Sequence, residues 1–252
     1  MCCTGDAMDR SASTDRLIVA LDVPTVDEAR HLVSVLGDTV SFYKIGLELL
    51  FVGGLDLARE LKSAGQRVFL DMKLLDIGNT VERAVANASE IGADFLTVHG
   101  HDTKTLKAAV AGRGEGDLKL LAVTVLTSLA DDDLREQGCD LAPADLVLKR
   151  AQLARAAGFD GVIASGQEAA RIRAATGGAF LIVTPGIRLP GSSTDDQERV
   201  MTPDHAIRAG ADHLVVGRPI TQADDPKAAA AAFVHHIREA IGKHGTGSAG
   251  LR

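Results

Sequence analysis

The chain has 252 residues, 46% of them hydrophobic, enough to bury a large core in one α/β barrel or in two small domains. Its net charge of −7 argues against nonspecific nucleic-acid binding, which needs a basic face, so any anionic ligand must meet a local positive site. No run of about 18 apolar residues and no basic segment leading into an apolar one is present, so neither a membrane span nor a signal peptide is expected, and a cytoplasmic location is.

The opening "MCCTGDAMDRSASTD" is polar and reads as a disordered tail over residues 1–15. Cys2, Cys3 and Cys139 have no zinc-ligand spacing and read as structural thiols. The first strand is expected in "RLIVALD" (16–22), followed by the helical "VDEARHLVSVL" and a second strand in "SFYKIGL" (41–47). A helical stretch ending in glycine and then an apolar strand recurs four times, in "SAGQRVFLD", "IGADFLTVHG", "AGFDGVIAS" and "AGADHLVVG". Gly65, Gly92, Gly158 and Gly210 are placed there to cap helices in the left-handed conformation. The spacing suggests a unit of about 26 to 30 residues, some units lacking the marker. "KLLAVTVL" (119–126) and "FLIVTPGIR" (180–188) complete a set of eight strands, with "NTVERAVANASEI" and "ADLVLKRAQLARAA" among the helices between them.

Eight strands alternating with helices predict a single-domain (β/α)8 TIM barrel over residues 16–241, followed by a flexible tail at 242–252. A doubly wound sheet is the alternative, but no G-x-G-x-x-G turn follows the first strand. Functional groups of a barrel gather at the C-terminal ends of its strands. Those ends read Asp22, Lys44, Asp71 with Lys73, His99 with His101, Thr124 to Ser128, Ser165, Pro185 to Arg188, and Gly217 with Arg218.

Within "FLDMKLLDIGNT" (69–80), strand alternation puts Asp71 and Lys73 on one face, at the mouth of the barrel, and Asp76 follows in the loop. An ordinary D-x-K-x-x-D is a surface salt bridge. Here Asp22 and Lys44 end the neighbouring strands at the same height, and converging charges of this kind are too costly to bury for packing alone. "HGHD" could offer two imidazoles to a metal, but the next strands supply no further histidine, and hydrogen-bonding support of the mouth is the simpler reading. The acidic run at 131–133 suits a helix start.

With these residues in order, the chain from Arg16 to about Ile241 resembles the orotidine 5′-monophosphate decarboxylases. The resemblance is carried by "ALD" at Asp22, "YKIG" at Lys44, "FLDMKLLDIGNT", "VTVLTS" at Ser128, "TPGIR", "DDQERVMTP" and "VVGRPIT". It implies conversion of orotidine 5′-monophosphate to uridine 5′-monophosphate and CO2, the last step of UMP synthesis, without metal or cofactor. By the same resemblance Lys73 would stabilise and then protonate the C6 carbanion. Asp71 would disfavour the substrate carboxylate and hold Lys73, while Lys44 and Asp76 would complete an alternating charge network.

The resemblance also implies the binding residues. Asp22, Lys44, Asp76 and Thr80 would hold the ribose hydroxyls, and Ser128 would read the pyrimidine. Pro185 and Ile77 would line the apolar pocket, beside Arg188 of the same "TPGIR" segment. Gln197, Arg218 and the Gly217 backbone would grip the phosphate, and residues 191–194 would form a closing lid. A homodimer is implied, with Asp76, Ile77 and Thr80 reaching the neighbouring site. A Mg2+-dependent sugar-phosphate decarboxylase or aldolase would share D-x-K-x-x-D, but the "LTS" and "DDQER" segments favour the nucleotide. A non-catalytic nucleotide sensor on the same barrel could dispense with Lys73 or Asp71, and this chain keeps both.

Overall fold

The structure, a computed structural model, describes residues 15–190 and 201–245. Eight parallel strands close into a barrel in sequence order: β1 (Leu17–Ala20), β2 (Phe42–Ile45), β3 (Arg67–Leu74), β4 (Phe95–His99), β5 (Lys119–Val123), β6 (Gly161–Ile163), β7 (Leu181–Thr184) and β8 (His213–Val216). The pairing of β1 with β8 completes the circle and excludes the doubly wound sheet. The predicted TIM barrel is the observed fold.

Around the barrel run α1 (Val26–Leu36), α2 (Leu47–Leu50), α3 (Gly54–Ser63), α4 (Gly78–Ile91), α5 (Thr103–Arg113), α6 (Asp131–Glu136), α7 (Pro143–Ala157), α8 (Gly166–Thr176), α9 (Pro203–Arg208), α10 (Arg218–Thr221) and α11 (Pro226–Gly245). The last helix continues past Ile241, where the sequence suggested a tail. Their boundaries have local causes. The Thr25 hydroxyl accepts from Glu28 N to start α1, and an Asp102 carboxylate oxygen accepts from Thr105 N, 2.9 Å away, to start α5. The acidic run opens α6, where the Asp133 carboxylate turns back to accept from Ala130 N. The four capping glycines have φ of 76°, 80°, 95° and 106°, a region costly for a side chain, which is why the sequence punctuates there with glycine.

Two apolar layers hold the barrel. Inside it, Ile18, Phe42, Phe69, Phe95, Leu121 and Val183 are fully buried. Between strands and helices lies a larger layer that includes Leu17, Val19, Val68, Leu96, Val162 and Leu214. Successive strand residues thus alternate between the two layers, as a sheet covered on both faces requires.

The N-terminal end of the barrel is fastened by a repeated device. Asp94, Asp160 and Asp212 follow capping Gly92, Gly158 and Gly210 by two residues and precede β4, β6 and β8. Each carboxylate accepts a backbone N–H from the preceding odd strand: Val68 (2.8 Å), Leu120 (2.9 Å) and Ile182 (2.7 Å). The same oxygen takes a cation from the helix before that odd strand, respectively Lys62, Arg113 and Arg173, at 2.6–2.7 Å. A helix and two strands are tied at one atom, three times around the ring. At the equivalent place before β2 stands Ser41, whose hydroxyl lies 3.4 Å from Asp15.

Candidate active site

At the opposite, C-terminal end, a cavity of about 750 Å3 opens inside the ring of strand ends. Inward alternation along β2 places Lys44 above Phe42, and along β3 Asp71 above Phe69. Lys44 Nζ lies 2.9 Å from Asp22 Oδ1 and 3.4 Å from Asp71 Oδ2. Lys73 Nζ lies 2.8 Å from that same Asp71 oxygen. The result is an alternating chain, Asp22, Lys44, Asp71, Lys73, along one wall of the cavity.

The joint orientation of Asp71 and Lys73 does not come from simple strand alternation, as the sequence suggested. Leu70 pairs with Leu96 but Leu74 pairs with Val98, so β3 carries extra residues between these two points. Lys73 takes up the irregularity with φ of 48°, the one positive φ outside glycine among the described residues. This conformation costs about 1 to 2 kcal/mol for a side-chain-bearing residue. It turns the lysine back onto Asp71.

The charges are mutually supporting. Burial alone would pull the Lys44 ammonium down, but Asp71 and Asp22 outweigh it and hold the group above its ordinary value. Burial would likewise raise the Asp71 carboxyl, yet Lys44, Lys73 and hydrogen bonds from Lys73 and Thr97 hold it below the usual range. Asp71 is therefore ionised throughout the neutral range. An added Cβ on Gly46 would lie 2.7 Å from Asp22 Oδ1 and 3.0 Å from Lys44 Nζ, so the glycine makes room for that pair.

Of the other expected residues, Pro185, Arg188, Gly217 and Arg218 line the cavity. Arg188 is buried, and its backbone N–H donates to Met201 O at 3.1 Å, fastening the end of β7 to the segment before α9. β5 and β7 end at Val123 and Thr184, earlier than expected, so Thr127 and Pro185 reach the cavity from loops. Ser128 is exposed in the turn next to Thr127 and is not among the lining residues. Asp76, Ile77 and Thr80 are exposed and do not join their own chain's cavity; Asp76 Oδ1 accepts from Ile77 N instead. Gln197, the 191–194 segment, Cys2 and Cys3 lie outside the described residues.

His99 and His101 have ring centroids 4.8 Å apart, and no group of three or more metal-ligating side chains occurs among the described residues. Burial, with His101 and Arg150 nearby, pushes the His99 imidazole down to about 4. The Arg150 guanidinium donates to the Thr124 carbonyl at the start of the β5 loop. Burial pushes His101 down as well, so both rings are neutral, but His99 Nδ1 is buried without a hydrogen-bond partner and does not give the hydrogen-bonding support expected of it. The reading of the sequence missed Thr97, which touches both Asp71 and Lys73, although counting inward from Phe95 along β4 would have found it.

Residues 15–233 match the family described as "Orotidine 5'-phosphate decarboxylase / HUMPS family". The chain belongs to this family. A protein of Rhodopseudomonas palustris (strain BisB5) named orotidine 5'-phosphate decarboxylase is 54% identical over 229 residues, 91% of this chain and 97% of that one. One of the same name from Afipia carboxidovorans is 57% identical over 88% of this chain and 94% of its own. The crystal structure of orotidine 5'-phosphate decarboxylase from Lactobacillus acidophilus superposes with a TM-score of 0.78 at 40% identity, covering 88% of this chain and 98% of that one. Within a family whose description also includes HUMPS, matches of 54% and 57% identity to decarboxylases over nearly the whole chain make it a carboxy-lyase of class EC 4.1.1.23. No helix of the described residues is long and apolar enough to cross a membrane.

Proposed function

We propose that this chain decarboxylates orotidine 5′-monophosphate to uridine 5′-monophosphate in the cytoplasm, with no metal or cofactor, through the Asp22–Lys44–Asp71–Lys73 chain. The observation that carries the reading is the alternation of ammonium and carboxylate along one cavity wall, ending in Lys73. The C6–carboxylate bond breaks with its electron pair left on C6, and CO2 departs. The Lys73 ammonium stabilises that developing charge and then gives C6 its proton, after which the neutral amine regains one from water. A cation fixed before the reaction needs no reorganisation as the charge develops, which is the most effective form of electrostatic catalysis.

Asp71 faces the leaving carboxylate and orients Lys73. Lys44 prevents two carboxylates from meeting without an intervening cation. Asp22 and Lys44 take the ribose hydroxyls and Pro185 the apolar side of the pocket, while Ser128, exposed beside the cavity-lining Thr127, turns inward to take the pyrimidine when substrate binds. Arg218, with Gln197 and the Gly217 backbone, grips the phosphate and supplies the local positive charge an acidic chain requires. A second copy contributes Asp76, Ile77 and Thr80. Their exposure supports this, since Ile77 is 73% exposed, and Phe51 at 84% adds apolar surface of the kind a partner covers.

The test is the ultraviolet absorbance of orotidine 5′-monophosphate mixed with the purified protein, with and without excess EDTA. EDTA-resistant conversion to uridine 5′-monophosphate is expected. Conversion abolished by EDTA and restored by Mg2+ would overturn the metal-free mechanism, and no conversion by folded dimer would overturn the substrate.

A further inference from the structure

We propose that Thr97 is a positioning residue for the decarboxylation, its single hydroxyl setting the rotation of the Asp71 carboxylate and the backbone of Lys73 together. The inference rests on the reading of Asp71 and Lys73 given above.

Thr97 is fully buried on β4, two residues beyond Phe95 on the inward face. Its Oγ1 donates to Asp71 Oδ1 at 2.9 Å and accepts from Lys73 N at 2.9 Å. A hydroxyl has one proton, so donation to the carboxylate leaves its lone pairs for the lysine N–H, and the two bonds fix one another's direction. Thr124 and Thr176, also buried, donate to the Ile163 and Ile172 carbonyls, and Thr105 donates to Asp102 three residues away, within its own helix cap. Thr97 instead reaches across to a carboxylate on the neighbouring strand.

The placement addresses two specific problems. Asp71 Oδ2 serves Lys44 and Lys73, so without a partner on Oδ1 the carboxylate could rotate and exchange its oxygens between the two ammoniums. Lys73 has a strained backbone whose N–H lies in the irregular part of β3, where the ladder to β4 is interrupted. Such a conformation persists only when its surroundings over-determine it. The Thr97 hydroxyl restores the missing ladder bond from a side chain and holds the ammonium's own main chain while holding its counter-ion.

The experiment compares Thr97→Val, which keeps the shape and removes the hydroxyl, with Thr97→Ser, which keeps it. For Thr97→Val, kcat should fall about 100-fold, the scale of a misplacement near 1 Å, with KM changed by less than about threefold because the phosphate and ribose grips are untouched. The acid limb of its pH profile should move upward, since Asp71, facing Lys44 and Lys73 with His99 nearby, loses a hydrogen bond that favours its ionised form. Thr97→Ser should recover kcat to within about threefold. Equal losses in the two variants, an unimpaired Thr97→Val, or a loss confined to KM would overturn the proposal. Where the valine chain does not fold, Thr97→Ala against Thr97→Ser is read by the same constants. Lys73→Ala separates the failures: normal turnover there overturns the reading of the lysine and this inference with it, whereas an inactive Lys73→Ala beside a fully active Thr97→Val overturns the role of Thr97 alone.

Discussion

Lys73 Nζ sits 2.8 Å from Asp71 Oδ2 only because the lysine's own backbone is bent into the left-handed region, at φ of 48°. The ion pair central to the proposed mechanism is thus held in a backbone conformation that a residue with a side chain disfavours. Replacing the lysine separates the two effects. Lys73→Ala and Lys73→Gly should both lose turnover by about 1,000-fold or more, as expected for removal of a group that acts as both electrostatic partner and acid. In urea unfolding, Lys73→Gly should be the more stable of the two by about 1 kcal/mol, because glycine occupies this region without strain. An alanine variant as stable as the glycine one would mean that the backbone is not strained.

Composite sites make a quantitative prediction. Chains carrying Lys73→Ala and chains carrying Asp76→Ala should each be nearly inactive. Unfolded together in equal amounts and refolded, they should regain about a quarter of the wild-type activity, because half of the dimers are mixed and each mixed dimer has one intact site. No recovery would place Asp76 in its own chain's site or outside the chemistry.

The phosphate grip is tested by leaving the phosphate out. Arg218→Ala should lower kcat/KM for orotidine 5′-monophosphate by about 100-fold or more, because remote binding energy is used at the reacting carbon. Activity toward the nucleoside orotidine should change by less than about threefold. Equal losses on both substrates would point to a folding defect, which thermal unfolding would reveal.

At the far end of the barrel, Asp212→Ala should cost about 2 to 3 kcal/mol in urea unfolding, since it strips the Ile182 N–H and the Arg173 guanidinium of a shared acceptor. The kcat of the protein that remains folded should not change. A fall in kcat without a fall in stability would contradict the separation of the two ends.

A histidine sets part of the acid sensitivity. His213 packs edge-on against Phe42 and Phe95 in the barrel floor, and burial, with Arg67 and Arg16 facing it, pushes its imidazole from 6.5 down to about 3. The unfolded chain therefore binds a proton that the folded one refuses. The stability contributed by neutral His213 is fully present above about pH 6.5 and is lost progressively as pH falls toward about 3. Urea midpoints measured at about pH 7.5 and pH 5 should differ less in His213→Gln than in the wild type. An unchanged difference would assign the acid sensitivity to other groups.

The order of elements was legible in the sequence because apolar runs and capping glycines are local signals, and Gly65, Gly92, Gly158 and Gly210 all have the predicted backbone. Strand ends were less so: Asp22, Thr127 and Pro185 face the cavity from beyond the last ladder bond, where an inward residue looks the same in sequence as one still in the strand. Asp71 and Lys73 were correctly paired for an incomplete reason, since the irregularity in β3 carries no glycine to announce it. Thr97 stayed hidden because threonine in an apolar strand looks like any β-branched strand former. Asp76, Ile77 and Thr80 could be assigned a role only through the resemblance, because one chain gives them nothing to touch in its own cavity.

Ser41 stands where Asp94, Asp160 and Asp212 each tie two strands and a helix at the other quarters of the ring. A ring riveted at three of its four joints has a seam, and here the seam runs between β1 and β2. Those strands lead to Asp22 and Lys44, whereas Asp71 and Lys73 rise from β3, whose start is held by Asp94. Local opening would begin where fastening is weakest. On the proposed function, the side of the site assigned to the ribose would then loosen more readily than the Asp71–Lys73 pair assigned to C6.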